Sequence, residues 1–144
     1  MGQAREISDR MTELISAHDA QGIAALFAED GVFIDPSGEH RGRDAIIQYW
    51  EGFFQAFPDM RGQDDFSAES GDTVMNEWSA TGIHSGPLEG PEGTIPATGK
   101  EMTMRGADAI TVRDGLIQSH RAYFDQLGFM IQLGLIPAGA AVTS

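Results

Sequence analysis

The chain has 144 residues, a formal net charge of −13 and a hydrophobic fraction of 41%. That is enough apolar material for one core and too much for a disordered chain, and the charge disfavours nucleic acid and anionic membranes as partners. No cysteine is present, so disulfides, thiolate nucleophiles and thiolate metal sites are excluded and a reducing, cytoplasmic location fits.

In chain order, residues 4–18 read as an amphipathic helix with Ile7, Met11, Leu14, Ile15 and His18 on one face. A short helix over 20–28 turns Ile23, Leu26 and Phe27 inward, and Glu29-Asp30-Gly31 breaks it. Val32 to Asp35 is a short strand stopped by Pro36-Ser37-Gly38. Residues 44–57 form the strongest helix, with Ile46, Ile47, Trp50, Phe53, Phe54 and Phe57 at helical spacing before Pro58. Strands follow near 61–69, 72–84, 101–113 and 115–124, the last two joined by an Asp114-Gly115 turn. The Gly- and Pro-rich stretch 86–99 reads as a long loop, and such loops serve either as lids or as plain surface excursions. Helices first and an antiparallel sheet after them make an α+β fold. One domain over 1–137 and a flexible tail over 138–144 are expected.

The alternation along 101–113 singles out one carboxylate. Met102, Met104, Asp108, Ile110 and Val112 share a face, and the arginines Arg105 and Arg113 share the other. Asp108 is therefore expected to sit alone among apolar neighbours, which favours its neutral form; a solvated sheet bend or a histidine or arginine partner is the competing account. Asp35 closes an apolar run before Pro36, where an Asp-Pro turn is the simpler explanation. On the last strand Leu116, Gln118, His120, Ala122 and Phe124 alternate with Ile117, Ser119, Arg121 and Tyr123. His120 thus shares a face with apolar groups, as Trp78 does with Val74, Asn76 and Ala80; a hydrogen-bonded core histidine is the more common explanation for the first, and core packing is the default one for the second. His18, His40 and His84 have no metal-ligand spacing, so no metal site is expected.

Residues 22–47, GIAALFAEDGVFIDPSGEHRGRDAII, resemble the corresponding segment of bacterial Δ5-3-ketosteroid isomerases. Residues 106–136, with the Asp-Gly hairpin, His120-Arg121 and Gln132-Leu133-Gly134, resemble polyketide cyclases of the SnoaL-like group. Both groups share the cone-shaped nuclear transport factor 2-like fold, in which three N-terminal helices pack on a curved antiparallel sheet and enclose a pocket. The resemblance implies that Asp35 is a general base and Asp108 a protonated donor to the substrate oxygen. Met11 stands where the isomerases place an oxyanion-binding tyrosine, and Ala122 where the cyclases place a catalytic aspartate. The cyclases' pocket asparagine and histidine fall at Asp35 and Asp108. An epoxide-hydrolase triad of the limonene type would fall at Ala80, Trp78 and Ala122, which cannot do that work.

The expected activity is proton abstraction next to a carbonyl, as an isomerase or a polyketide cyclase-like lyase acting on a polyketide- or steroid-like molecule, with no cofactor needed. Met11, Trp50, Phe54, Trp78, Met104 and His120 are the expected substrate-binding residues, with Met102 also in the cavity wall. The expected partners are an apolar small-molecule ligand and a second copy of the chain, in a homodimer formed through the outward faces of Ala107, Ala109, Thr111, Ile117 and Tyr123. A non-catalytic ligand-binding or accessory role is the alternative.

Overall fold

The computed structural model describes residues 2–90 and 93–137. The tail expected over 138–144 lies outside the described residues. Helix α1, Gln3–Ser16, buries Ala4, Ser8, Met11 and Leu14. Helix α2, Ala20–Ala25, starts on Asp19, whose side chain accepts from the Gly22 amide at 2.9 Å. It ends earlier than the expected residue 28, because strand β1 runs from Phe27 to Asp35. Phe27 pairs with Ile117, and the register shifts between Phe27 and Val32. The acidic Glu29-Asp30-Gly31 segment is thus a bulge inside a strand, and long-range pairing overrides the local helical pattern.

Pro36 and Ser37 do not simply stop β1. They turn it into β2, Gly38–Arg41, which pairs back on it antiparallel. Helix α3, Arg43–Ala56, follows and buries Ile46, Trp50, Phe54 and Ala56. Strands β3, Arg61–Ser70, and β4, Thr73–Ile83, form a hairpin. The stretch expected to be a plain loop contains a small hairpin of β5, Leu88–Gly90, and β6, Gly93–Ile95. Strands β7, Glu101–Arg113, and β8, Leu116–Phe124, are joined by Asp114 and Gly115, both with positive φ, at 54° and 77°. Those angles are what a two-residue hairpin turn requires. A further helix not expected from the sequence, α4, Gln126–Gln132, is capped by Asp125 and buries Phe129.

The six-stranded sheet has the order β2-β1-β8-β7-β4-β3, and its one parallel pair is β1 with β8. The first three helices pack on one face: α1 lies against β3, β4 and β7, and α3 against β1 and β2. A single apolar cluster, from Ala4 on α1 to Leu133 beyond α4, fills the space between. A register shift between Thr111 and Val112 reverses the expected parity at the start of β8. Ile117 is consequently fully buried instead of facing outward, and Ala109 is only 4% exposed.

His84, just past β4, ties the 84–100 segment to the core. Its amide donates to the Lys100 carbonyl at 2.9 Å, its carbonyl accepts from Gly99 at 2.8 Å, and its ring Nδ1 lies 3.0 Å from Thr98 Oγ1. The ring is fully buried and packs on Phe57. Burial pushes its pKa below the ordinary histidine range, against a smaller opposing pull from the Gly86 backbone. The unfolded chain therefore takes up a proton near pH 6.5 while the folded ring still resists it, so stability is lost as pH falls below that value. Replacing His84 by Phe should reduce the loss of urea-unfolding midpoint between pH 7 and pH 5; an equal loss in both proteins would rule His84 out as its source.

Candidate active site

The concave face of the sheet carries one line of side chains across four strands. Asn76 on β4 pairs with Asp108 on β7, and Asp108 with Ala122 on β8. Ile34 on β1 pairs with Arg121, which sets the next residue, Asp35, beside Ala122. The two carboxylates are therefore two strands apart, about 10 Å between backbones at the usual strand spacing. Ala122, between them in the sheet, lines the inner cavity with Asp108.

Asp108 does not stand alone. Asn76 Nδ2 donates to its Oδ1 at 2.8 Å, and His120 Nε2 lies 2.8 Å from its Oδ2. The expectation of purely apolar neighbours holds along β7 but overlooks β4 and β8, which supply the polar partners. Asn76 is itself held at both ends: Ser67 Oγ donates to its Oδ1 at 2.6 Å, and its Nδ2 also donates to Ser8 Oγ at 3.1 Å. Asp108 and His120 are both buried, as is Asn76. The histidine partner weighed against isolation is the one found.

Asp35 is buried at the end of β1. Its Oδ1 accepts from the Ser37 amide at 3.0 Å and from the Ser37 hydroxyl, and His40 Nε2 lies 3.3 Å away. This is the hydrogen-bond set of an Asx turn, so the turn role is real. Those donors suit a carboxylate, which can only accept. Tyr49 stands beside it. Burial pushes the Tyr49 phenol well above its ordinary value of 10.0, and the Asp35 carboxylate adds to this as a charge and as a hydrogen-bond acceptor. Tyr49 therefore stays protonated and acts as a donor.

Two hollows meet here. An inner cavity of about 100 Å³ is lined by Met11, Trp50, Trp78, Met104, Asp108 and His120, among others. An outer cleft of about 890 Å³ carries Asp35, His40 and Leu88. Tyr49, Phe53, Met104 and Phe124 line both. Asp35 and Asp108 thus approach the same partition from opposite sides. Five of the six expected binding residues line the inner cavity, and Phe54 does not: it is buried beneath, stacked on His18 at 4.3 Å. Its neighbour Phe53, one helical step away, takes the wall position. Met102 is likewise a fully buried core residue and no part of the wall. The sequence pattern also gives no sign of Asp64, which joins the inner wall from β3 and accepts from Thr12 Oγ1 at 2.7 Å. Burial raises its pKa, the Thr12 hydrogen bond opposes this, and the Asp108 charge adds to the rise. Among the described residues no cluster of three potential metal ligands occurs.

A pocket enclosed between three N-terminal helices and a curved, unclosed sheet defines the nuclear transport factor 2-like class. Solved structures agree with this. A protein from a Jannaschia species, classed as a SnoaL-like polyketide cyclase, superposes with a TM-score of 0.81 at 20% identity, over 94% of this chain and 94% of that one. IdmH of Streptomyces antibioticus, assigned as a polyketide cyclase, gives 0.74 at 26% identity over 92% and 99%. A Catenulispora acidiphila protein of ketosteroid isomerase-like fold, solved with trimethylamine, gives 0.75 at 20% identity over 91% and 94%. The family model of the SnoaL-like domain matches residues 9–120, so the chain belongs to the SnoaL-like family. No curated protein matches it in sequence.

Proposed function

We propose that this protein is a small-molecule enzyme that abstracts a proton next to a carbonyl, with Asp35 as the base and Asp108 on the side of the substrate oxygen. The carrying observation is the line Asp35–Ala122–Asp108 across β1, β8 and β7, which sets the two carboxylates on adjoining hollows that share Tyr49, Phe53, Met104 and Phe124 as walls. The C–H bond next to the carbonyl breaks, its proton passes to the Asp35 carboxylate, and the electron pair moves through the new C=C bond onto the oxygen. Return of the proton to a more distant carbon gives isomerisation. Attack of the enolate carbon on a second carbonyl gives an aldol-type cyclisation. The apolar wall of the inner cavity excludes water from the charge that develops, and the outer cleft is of the size that accommodates the bulk of a polyketide- or steroid-like ligand. The names of the structural relatives point the same way. We take residues 1–137 as the catalytic domain and the cytoplasm as its location, in keeping with a chain that lacks cysteine; among the described residues no helix is long and apolar enough to cross a membrane.

The test is isomerisation of 3-cyclohexen-1-one, a β,γ-unsaturated ketone, followed by the absorbance of the conjugated product. Turnover above the buffer rate that disappears in Asp35→Asn supports the proposal. Binding of the ketone without turnover favours the ligand-binding alternative, for which the Asx-turn contacts of Asp35 speak.

We propose also that the protein works as a two-fold homodimer through the outer face of the sheet. Phe66, Met75 and Tyr123 stand there 60%, 53% and 60% exposed, an apolar surface on an otherwise acidic chain. Light scattering at micromolar concentration should give about twice the 15.5 kDa chain mass, and Tyr123→Glu should shift it towards the monomer. A species of single-chain mass in the wild type would refute the dimer.

A further inference from the structure

The wall of the inner cavity combines two kinds of negative surface. Six aromatic side chains line it: Phe33, Tyr49, Trp50, Phe53, Trp78 and Phe124. Neighbouring rings meet at steep angles, 87° for Tyr49 with Trp50, 74° for Trp50 with Phe53 and 67° for Trp78 with Phe124. Their planes therefore run in different directions, like the sides of a box. The face of an aromatic ring is electronegative and attracts cations. Two carboxylates, Asp64 and Asp108, share the same wall. The cavity measures about 100 Å³. One water needs roughly 10–15 Å³ on that scale, so a group of several heavy atoms has room.

No fixed positive charge balances these walls. Among the described residues no lysine or arginine lines the inner cavity or the outer cleft, and the cleft adds Asp35, Glu51 and Glu89. The two histidines of these walls each face a carboxylate already, His120 with Asp108 at 2.8 Å and His40 with Asp35 at 3.3 Å. Asp108 is engaged at both oxygens. Asp64 is not. It stands on the edge strand β3 opposite Trp78. Its Oδ2 accepts from Thr12, while its Oδ1 has no protein partner and keeps accessible surface. Burial raises its pKa, the Thr12 hydrogen bond opposes this, and the charges of Asp108 and Asp9 add to the rise. Arg5, bound to Asp9 at 3.2 Å, offsets the rise least. A neutral ligand would leave this deficit of positive charge in place; a cation would relieve it.

We propose, resting on this cavity as the substrate site of the proposed enzyme, that it holds a substituted ammonium group of the substrate, with Asp64 as the counter-ion and the aromatic rings as the cage. The substrate class is then an amine-bearing carbonyl compound. Its apolar body lies in the outer cleft, against Leu88, Ile95 and Phe129. The net charge of −13 draws such a cation towards the acidic cleft. Once inside, the ammonium group also offsets the negative charge that proton abstraction develops on the Asp108 side.

The test uses choline as the probe and 3,3-dimethyl-1-butanol as its neutral counterpart, alike in shape but without the charge. Both tryptophans of the chain line the cavity, so their fluorescence reports from it. The titrations are run at constant ionic strength, which cancels the general attraction of cations to an acidic surface. Choline should change the emission saturably and bind at least about 10-fold more tightly than the alcohol, the difference expected of a desolvated cation–π site. Asp64→Asn, whose amide oxygen can still accept from Thr12, should weaken choline about 10-fold and leave the alcohol unchanged. The wild-type comparison needs no variant to fold and decides the matter alone. Equal or tighter binding of the alcohol, no saturable response to choline, or unchanged choline affinity in a folded Asp64→Asn would each overturn the ammonium site. None of these outcomes depends on turnover. Choline can be preferred while isomerisation fails, and the reverse, so the role of Asp35 stands or falls separately in the isomerisation assay.

Discussion

Asp35→Asn should lower kcat for 3-cyclohexen-1-one by about 10²–10⁴-fold, the range in which a positioned general base contributes, with KM within a few-fold of wild type. The argument for so confined an effect is structural. The Asx turn uses Oδ1, which accepts from the Ser37 amide and hydroxyl. An amide oxygen can accept both, so the β1–β2 turn and the fold survive the change. What is lost is the ability to receive a proton, and that matters only in the transition state. A variant that retains near-normal turnover would remove Asp35 from the mechanism. Unchanged unfolding midpoints in the same variant would show that the loss is chemical.

Phe33→Ala should lower stability by about 3–5 kcal/mol, the usual cost of emptying a large aromatic site in a core, and reduce Tm by roughly 10 °C or more for a domain of this size. Phe33 is only 2% exposed. Its ring lies 5.7 Å from His40, 4.7 Å from Tyr49, 5.8 Å from Trp50 and 4.8 Å from His120. It therefore supports the surroundings of Asp35 on one side and the partner of Asp108 on the other. Truncation leaves a cavity among rings that are tied elsewhere and cannot close on it. Phe33→Leu keeps most of the volume and should cost clearly less. Thermal unfolding of both variants measures this; a drop of less than about 1 kcal/mol for the alanine change would mean that the aromatic cluster collapses freely around the gap.

What is legible in the sequence depends on how local its cause is. The inward placement of Asp108 is a period-two pattern within β7, and it is found as read. Its partners are not local: Asn76 and His120 reach it only through the pairing of β4 and β8 with β7. Strand parity places each of them on an inward face, yet parity says nothing about which inward residues meet. Phe53 and Phe54 are hard to tell apart for a related reason. Helix α3 is apolar around much of its circumference, so periodicity does not say which aromatic faces the cavity and which faces His18. Ile117 is misplaced by simple alternation because a bulge at Thr111 and Val112 changes the count of residues between two otherwise regular strands. Asp35 is visible as a turn residue and by resemblance as a base, and its contacts with Ser37 and His40 are compatible with both. The β1–β2 hairpin is hidden because Gly38–Arg41 is a polar edge strand without an inward apolar set.

The parallel contact of β1 with β8 also bears on when the protein can begin to work. Phe33 and His120 are paired neighbours although about 90 positions separate them along the chain, and the two carboxylates come within two strands of each other only through that pairing. On a ribosome releasing the chain from its N-terminus, the first three helices and the β3–β4 hairpin emerge well before β8 does. Contacts of such sequence separation are the slow ones in folding, because the closure entropy of a long loop must be met before they form. Until then β1, paired only with β2, leaves one edge of a strand rich in Val, Phe and Ile open, and such exposed edges invite association with other chains. Pocket formation thus coincides with completion of the sheet, and a molecule truncated before β8 would lack binding and chemistry alike.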